Sequence, residues 1–331
     1  MSDFKNPKNT LKIKSVVLGF AVVVIASFFY PQFFGAPQKN AELGNFSVRQ
    51  NAEIPKIISD LKEKKFIKNT AAFDFALSWK RIKDIKPGGY IISKSMNTWK
   101  IIEVLSGKPA LVWVTIPEGL RKEEVANILA LKLGWPEEEK TNWLRKYTVE
   151  NPDYIEGVYF PDTYLIPANE KPEDTAKRLQ AKFQEKFAPL APLAIEQNIK
   201  WTTLLRLASI IQREAAGESD MPLIAGILWN RLLAGQKLQV DATVQYARGK
   251  TEDGWWAPIK SEDKKLDSLY NTYKYLGLPP RAICSPGIEA MKAVIAPEET
   301  KCIFYLHDDK GQIHCAETYE EHLQNIEKYL K

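Results

Sequence analysis

Residues 201–249 have the sequence WTTLLRLASIIQREAAGESDMPLIAGILWNRLLAGQKLQVDATVQYARG. In its first part, apolar residues recur every three or four positions, which predicts a helix with one buried face. That face comprises Leu204, Leu207, Ala208 and Ile211. Glu214 follows Ile211 at the next helical step, and Gly217 interrupts the pattern soon afterwards. We therefore expect a carboxyl group at the end of a buried helix, beside a turn.

The chemistry of Glu214 depends on how far its side chain is removed from water. Burial disfavours the charged carboxylate and raises its pKa, and a carboxylic acid that stays protonated near neutral pH can act as a general acid. The structural alternative is that Glu214 pairs with a nearby arginine or caps a helix. Glu218 is the rival acid, but it follows Gly217 in a polar turn, where we expect it to be solvated.

Helices are also predicted on both sides of this segment. A helix should begin after Ser219 or Asp220, near Pro222, and continue to Gly235. Upstream, one apolar face of a solvated helix is indicated by Ala176, Leu179, Phe183 and Phe187. The aromatic segment 154–167, which precedes this solvated helix, is predicted to be a shaped loop or a strand.

Shorter elements are predicted between residues 46 and 145. One helix face is formed by Ile54, Ile57, Ile58 and Leu61, and a second helix is expected from Phe73 to Ile82. Residues 88–109, GGYIISKSMNTWKIIEVLSGKP, should form a short extended stretch, a polar turn and a further helix capped by Asn97. The run at 111–116 is typical of a strand, and a helix through Val125 should follow it. Small α+β modules of this kind bind glycan strands or act as spacers, and the pattern leaves both roles open.

The composition is that of a globular protein, with 45% hydrophobic and 26% charged residues. The formal net charge is +5, but Asp3 and the four lysines before residue 15 contribute +3 of it, which leaves +2 for the rest. Nucleic-acid-binding domains concentrate far more positive charge. We therefore predict no nucleic-acid partner.

Cysteines and histidines are few and scattered. Cys284, Cys302 and Cys315 are odd in number and include no CxxC pair, so we expect neither a disulfide framework nor a zinc site, but small, partly buried apolar side chains. The histidines are His307, His314 and His322, and their spacing does not group them with carboxylates as metal ligands. We predict no catalytic metal.

The N-terminal region contains a candidate membrane span. Residues 15–34, SVVLGFAVVVIASFFYPQFF, lack charged side chains and match the length of a helix that crosses the hydrocarbon core. Lysines crowd the preceding residues 1–14, whereas Lys39 is the first cation beyond the span, which predicts a cytoplasmic N-terminus and an exported remainder. Residues 35–45 are predicted to be a linker. A cleaved signal peptide is the competing interpretation, but FFGAPQ lacks a suitable cleavage site.

Six separated segments together resemble a known family. They are EGVYFPDTY at 156–164, ASIIQREA at 208–215, WNRL at 229–232, KLQVDATVQYARG at 237–249, NTYKYLGLPPRAICSPG at 271–287 and YLHDDKGQIHCAETYEEH at 305–322. In this order, after a span and a LysM-like module, they resemble the YceG-like, or MltG-like, endolytic murein transglycosylases.

The resemblance implies an enzyme that cuts peptidoglycan strands between N-acetylmuramic acid and N-acetylglucosamine and leaves a 1,6-anhydromuramic acid end. The catalytic glutamate of the family falls on Glu214. Many relatives carry a second glutamate two residues earlier, where this chain has Gln212, so a carboxylate at that position has no role here. One carboxyl group suffices, because the muramyl C6 hydroxyl is the nucleophile, and no cofactor is expected.

Other motif residues are expected to bind the sugar. The predicted substrate-binding set, besides the catalytic Glu214, is Glu156, Tyr159, Asn230, Gln239, Asp241, Asn271 and Tyr273. Tyr159 is expected to stack on a sugar face, and the hydrogen-bonding groups of the other six suit N-acetyl and hydroxyl groups. Structural roles, such as organising a turn, capping a strand or filling the core, stay open.

The expected architecture is α+β, with a single N-terminal transmembrane helix, a small LysM-like α+β module at 46–145 and a mixed α/β catalytic domain at 146–331. The expected partners are peptidoglycan strands, the inner membrane and, by family analogy, peptidoglycan synthases. Three alternatives remain: a muramidase in which water attacks, a non-catalytic wall-binding scaffold, and a cytoplasmic aminodeoxychorismate lyase. The export signal and the lack of a Schiff-base lysine motif argue against the last.

Overall fold

The computed structural model describes residues 27–148 and 156–330. Most of the predicted span, residues 15–26, and the start of the aromatic segment predicted at 154–167 lie outside the described residues. The contacts divide the chain into two compact units. The first holds the residues up to Trp113 together with Leu165–Ala168, and the second holds Val114–Tyr164 and the residues from Asn169 onward.

The first unit begins with a helical stretch at 27–33, followed by two strands and three helices. Strand β1 (Leu43–Val48) pairs antiparallel with β2 (Gly88–Ser93), with Leu43 opposite Ser93 and Val48 opposite Gly88. The helices are α1 (Ile54–Glu63), α2 (Thr70–Trp79) and α3 (Thr98–Leu105). Their core is contiguous and is built from buried side chains such as Phe46, Leu61, Phe73, Ile92 and Ile101.

Local signals explain where these helices begin and end. The predicted N-cap at Asn97 is confirmed, since its side chain accepts a hydrogen bond from the backbone N–H of Lys100 at the start of α3. Asn69 caps α2 in the same way. The predicted extent of α2, Phe73 to Ile82, is wrong at both ends: Asn69 starts the helix earlier, and it stops at Trp79 because Arg81 adopts a positive φ of 57°.

The second unit is mostly helical and surrounds one long buried helix, α8. In chain order its helices are α4 (Lys122–Leu133), α5 (Glu137–Thr148), α6 (Pro172–Phe187), α7 (Ala191–Glu196), α8 (Trp201–Glu214), α9 (Met221–Leu233), α10 (Asp241–Arg248), α11 (Ile288–Ile295) and α12 (Tyr319–Tyr329). The predicted apolar face of α8 is confirmed, because Leu204, Leu207, Ala208 and Ile211 are fully buried. Helices α9 and α11 pack against it.

Strands complete the architecture. Strand β3 (Leu111–Thr115) and strand β4 (Thr163–Pro167) follow β1 and β2 in one four-stranded sheet of order β1-β2-β3-β4. The predicted mixed α+β character is therefore confirmed. The assignment of 46–145 as a LysM-like module and of 146–331 as the catalytic domain stays a prediction, and the compact units divide the chain at other residues.

A β-hairpin joins β5 (Phe304–His307) to β6 (Ile313–Ala316) and brings two cysteines together. Cys302, just before β5, forms a disulfide with Cys315 in β6, with their Cα atoms 5.8 Å apart. The expectation that all three cysteines are unpaired apolar side chains is therefore wrong for these two, because antiparallel pairing closes a sequence separation of 13 residues. Cys284 is free and buried, as expected.

Within residues 27–148 and 156–330, no helix is both long enough and apolar enough to cross a bilayer.

Candidate active site

Glu214 is the last residue of α8, as the sequence predicts. The helix stops there because Ala215 has an extended backbone conformation, with φ −71° and ψ 137°. The side chain is only half-buried, and the hydroxyl of Tyr305 donates a hydrogen bond to its Oε2 over 2.7 Å. The carboxyl group therefore lies at the end of a buried helix, beside a turn, and is oriented by the Tyr305 hydroxyl.

The surroundings raise the pKa of Glu214 above its ordinary value. Burial is the main cause, and the negative charge of Asp241 acts in the same direction. The hydrogen bond from Tyr305, the backbone N–H of Ala242 and His307 oppose this shift, because each favours the ionised form. Burial prevails, so the pKa is displaced in the direction that a general acid requires.

Glu214 opens onto a cavity of about 560 Å³ in the second unit. The cavity is large enough for a few sugar rings and is lined mainly by side chains that can form hydrogen bonds. Its polar lining comprises Glu214, Arg231, Gln239, Asp241, Lys264, Tyr273, Tyr305, His307, Tyr319 and His322. Four predicted site residues, Glu214, Gln239, Asp241 and Tyr273, thus lie around one cavity.

Two distant motifs meet on one side of this cavity. The backbone N–H of Gln239 donates to the carbonyl of Thr272 over 3.2 Å, and that of Val240 donates to the Thr272 hydroxyl over 3.0 Å. These bonds align the start of α10 with residues 271–273, so that the Tyr273 hydroxyl donates to Asp241 Oδ1 over 2.5 Å. Asp241 is exposed at the N-terminal turn of α10, where the helix dipole favours a negative charge.

The opposite side of the cavity comes from β5. Tyr305 and His307 are two residues apart in this strand, so both side chains leave the same face. His307 Nε2 lies 3.1 Å from Asp220 Oδ2, just before α9. The sequence motifs predict no part in the site for Tyr305, His307 or Asp220, and Asp220 is expected only as a candidate cap of the helix that follows. The alternation of Tyr305 and His307 within YLHDD was the available signal, but their proximity to Glu214 depends on tertiary packing.

Arg231 anchors this side of the cavity from α9. Its buried guanidinium donates to the backbone carbonyls of Ile303 and Leu238 and lies over the Phe304 ring, with Cζ 5.2 Å from the ring centroid. The carbonyls it binds flank the two segments that carry Tyr305 and Gln239. Through these hydrogen bonds, Arg231 connects the residue before β5 to the segment before α10.

The other four predicted site residues do not line this cavity. Asn230 donates to the carbonyls of Thr300 and Cys302 over 2.7 and 3.1 Å, and Asn271 donates to the carbonyl of Leu266 over 2.8 Å while its Oδ1 accepts from the N–H of Tyr273. Both amides hold backbone that leads to cavity residues. A substrate-binding role for them stays a prediction.

Glu156 and Tyr159 are fully enclosed in the second unit. Glu156 Oε2 accepts a hydrogen bond from the Tyr246 hydroxyl over 2.8 Å, and its Oε1 accepts from the backbone N–H of Lys122. Burial raises the pKa of Glu156 to about 7. Tyr159 packs on Trp143, with ring centroids 4.8 Å apart, and donates to the carbonyl of Tyr147. The structure supplies a packing role for each side chain.

Gln212 and Glu218 lie away from the acid. Residues two apart on a helix project in nearly opposite directions, and Gln212 accordingly turns from the cavity and accepts a hydrogen bond from the N–H of Gly287 over 2.9 Å. Glu218 is exposed in a 3₁₀ turn after Gly217, as expected. In the part of the chain that the structure describes, no three His, Cys, Asp or Glu side chains group as metal ligands.

Comparison with known proteins places this architecture in a family. The profile of the YceG-like family matches residues 46–328. An endolytic murein transglycosylase of Bacillus subtilis is 28% identical over 308 residues, which cover 86% of this chain and 84% of that protein. An endolytic murein transglycosylase of Streptococcus pneumoniae is 25% identical over 317 residues, and the match spans 86% of this chain but only 58% of that longer protein.

A solved structure shows the same fold. The crystal structure of a yceG-like protein from Listeria monocytogenes superposes with a TM-score of 0.61 at 26% identity, and the match covers 86% of this chain and 98% of that one. The family profile extends over most of the sequence and includes every element that surrounds Glu214. This chain therefore belongs to the YceG-like family.

Proposed function

We propose that this protein is an endolytic lytic transglycosylase of peptidoglycan, with Glu214 as its catalytic acid and base. The single observation that carries the proposal is the half-buried carboxyl group of Glu214, whose pKa is raised and which opens onto a polar cavity. Membership of the YceG-like family and relatives named endolytic murein transglycosylases support the same activity. The substrate is the glycan strand, cut between N-acetylmuramic acid and N-acetylglucosamine.

The reaction uses Glu214 twice. In the first step, the protonated carboxyl group donates its proton to the glycosidic oxygen as the C1–O bond breaks, and positive charge develops on the muramyl ring. In the second step, the resulting carboxylate accepts the proton of the C6 hydroxyl while that oxygen bonds to C1. The 1,6-anhydro ring forms, and Glu214 returns to its protonated state without any added water.

Neighbouring groups suit both protonation states of Glu214. Because the Tyr305 hydroxyl donates a hydrogen bond to Oε2, the carboxylate produced in the first step is stabilised. The negative charge of Asp241 disfavours ionisation of Glu214 before the reaction, and it would attract the positive charge that develops on the muramyl ring. Gln239 and Tyr273 line the same cavity and would bind hydroxyl or N-acetyl groups of the sugar.

The proposed location is the inner membrane, with residues 15–34 as a single span, the N-terminus in the cytoplasm and the catalytic residues outside. The Cys302–Cys315 disulfide supports this orientation, because such bonds persist in oxidising compartments and are rare in the cytosol. Residues 46–145 would form the LysM-like module, and nascent strands released from membrane-bound synthases would be the natural substrate. Cleavage of these strands would terminate their elongation.

Analysis of the cleavage products tests the proposal. The purified full-length chain should convert uncrosslinked glycan strands into fragments that end in anhydromuramic acid, each lighter by one water than a hydrolysis product. Reducing ends alone would show a muramidase and contradict the proposed chemistry.

Two substitutions separate catalysis from binding. Glu214→Gln should lower cleavage by about a hundredfold or more and preserve glycan binding, whereas Glu218→Gln, at an exposed position outside the cavity, should cleave normally. Equal cleavage by the Glu214→Gln variant would instead favour the scaffold alternative or another acid.

A further inference from the structure

Helix α2 exposes two large aromatic side chains on the surface of the first unit. Phe75 and Trp79 are one helical turn apart, and 55% and 71% of their surfaces are accessible to water. Their ring centroids lie 6.1 Å apart, so they form one continuous patch. Because removing such apolar area from water is favourable, an exposed aromatic pair is typical of a surface that contacts an apolar partner.

The residues that follow the predicted span extend this patch. The Phe34 ring is stacked on Trp99, with centroids 5.6 Å apart, and its edge meets Phe75 at 6.4 Å. Tyr30 stacks on Phe34 at 5.2 Å and accepts a hydrogen bond from the Trp99 indole over 2.7 Å. The end of the apolar segment is therefore packed against the helical side of the first unit, directly beside the exposed pair.

Backbone contacts fix the same junction. The N–H of Thr98 donates to the carbonyl of Phe34 over 3.0 Å, and Lys68 Nζ donates to the carbonyl of Pro31 over 3.0 Å. Before this junction, Phe28, Phe29 and Phe33 are largely exposed. Residues 27–34 thus carry exposed aromatic side chains and connect the uncharged residues 15–26 of the sequence to the α2 patch.

Charge beside the patch complements a particular partner. Four exposed cations follow Trp79, and two exposed acids, one before Phe75 and one after Trp79, leave a net charge of +2 around the patch. The cations are Lys80, Arg81, Lys83 and Lys86, and the acids are Asp74 and Asp84. Aromatic side chains, tryptophan above all, favour the boundary between lipid headgroups and acyl chains, and adjacent cations are attracted to anionic headgroups. An aromatic patch beside a basic cluster therefore suits a bilayer surface better than it suits an uncharged glycan.

We infer that Phe75 and Trp79 insert into the headgroup region of the bilayer and hold the first unit against the membrane. This inference rests on the proposed span, which brings the patch to the lipid, and it is independent of the chemistry assigned to Glu214. The contact gives the first unit a defined face toward the membrane, in place of free rotation about a flexible tether.

Depth-dependent quenching tests this contact in the full-length protein. A bimane dye is attached at Trp79→Cys, and the protein is reconstituted into vesicles of phosphatidylcholine and phosphatidylglycerol that carry doxyl-labelled lipids. The dye reacts at the new cysteine because Cys284 is fully buried and Cys302 and Cys315 are bonded to each other. Ile91→Cys is the matched control, since Ile91 is 43% exposed and is the outward-facing residue of the otherwise buried strand β2.

The contact predicts that the dye at position 79 is quenched at least threefold more strongly than the dye at position 91. Vesicles of phosphatidylcholine alone, which carry no net charge, should reduce this difference in quenching. Equal quenching at both positions in protein that floats with the vesicles would overturn the lipid contact and leave the span intact. Dye self-quenching at position 79, which would indicate a second copy on this face, would also overturn it. Failure to float with the vesicles would overturn the span and the contact together, and glycan cleavage measured on the same samples reports separately on the proposed function.

Discussion

The hydroxyl of Tyr305 lies 2.7 Å from Oε2 of Glu214 and donates a hydrogen bond to it, although 91 residues separate the two along the chain. Tyr305 belongs to the hairpin strand β5, and Glu214 ends the buried helix α8. The hydrogen bond that orients the proposed acid therefore comes from a strand that lies far from it along the chain.

Replacing Tyr305 should alter the pH dependence of cleavage in a defined direction. The Tyr305 hydrogen bond lowers the pKa of Glu214, so Tyr305→Phe should raise that pKa further. Because the first step requires the protonated acid, the alkaline limb of kcat/KM should move to higher pH. The lost stabilisation of the carboxylate should slow cleavage by about ten- to a hundredfold, since hydrogen bonds to charged groups contribute about 1.5–3 kcal/mol. Tyr275→Phe is the control, because the Tyr275 hydroxyl donates its hydrogen bond to the exposed Asp267 and not to Glu214.

Replacing Asp241 should move the same limb in the opposite direction. The Asp241 charge raises the pKa of Glu214, so Asp241→Asn should lower it, and activity should fall off at a lower pH than in the wild type. The rate below that limb should also decrease, because a negative group is lost from beside the developing cation. The measurement is a pH profile of both variants side by side. Shifts of the same sign in the two variants would contradict this assignment of charges.

The Cys302–Cys315 bond should stabilise the hairpin that carries Tyr305. Closing a loop of this size removes conformational freedom from the unfolded chain and contributes about 3 kcal/mol in the chain-entropy model. Replacing both cysteines by serine should therefore lower the free energy of unfolding by this order, measured by denaturant titration. Reductant should destabilise the wild type to a similar extent and leave the double variant unchanged. A wild type that is insensitive to reductant would show that the bond is not formed.

Glu156 should make stability depend on pH between about 4.5 and 7. Its pKa rises from 4.5 to about 7 on folding because the side chain is buried. The folded state therefore binds the proton more tightly than the unfolded state, and the stability that this supplies is fully present below pH 4.5 and is lost as the pH rises through 7. The difference corresponds to about 3 kcal/mol.

Glu156→Gln tests this linkage, because a neutral amide removes the titration and keeps nearly the same shape. The unfolding free energy of the variant should be flatter than that of the wild type across this range. A slope unchanged by the substitution would assign the pH dependence to other groups.

The helices were predictable because their signals are local. The spacing of Leu204, Leu207 and Ile211 predicts the buried face of α8, and the break at Gly217 predicts that Glu214 stands at a helix end. The Asn97 cap depends on an N–H only three residues away. Helix α2 shows the limit of such signals, because its end is decided by the left-handed backbone at Arg81, which apolar spacing does not encode.

The site required more than these local signals. Motif resemblance identified Glu214, Gln239, Asp241 and Tyr273, which the fold collects around one cavity. The same motifs also contain Asn230, which binds backbone carbonyls, and Glu156, which is buried against Tyr246. A motif does not distinguish residues that face the cavity from residues that support the fold.

Sequence periodicity and capping thus determined the helices and the position of the acid at the end of one of them, since both depend on neighbours within a few residues. Only the tertiary structure decided that Tyr305 contacts Glu214, that His307 lines the same cavity, that Cys302 bonds to Cys315, and that Phe34 packs against the exposed patch on α2. These contacts join segments that are distant along the chain. They depend on how the hairpin and helices pack, and that packing is set by the burial of whole faces and not by any short run of residues.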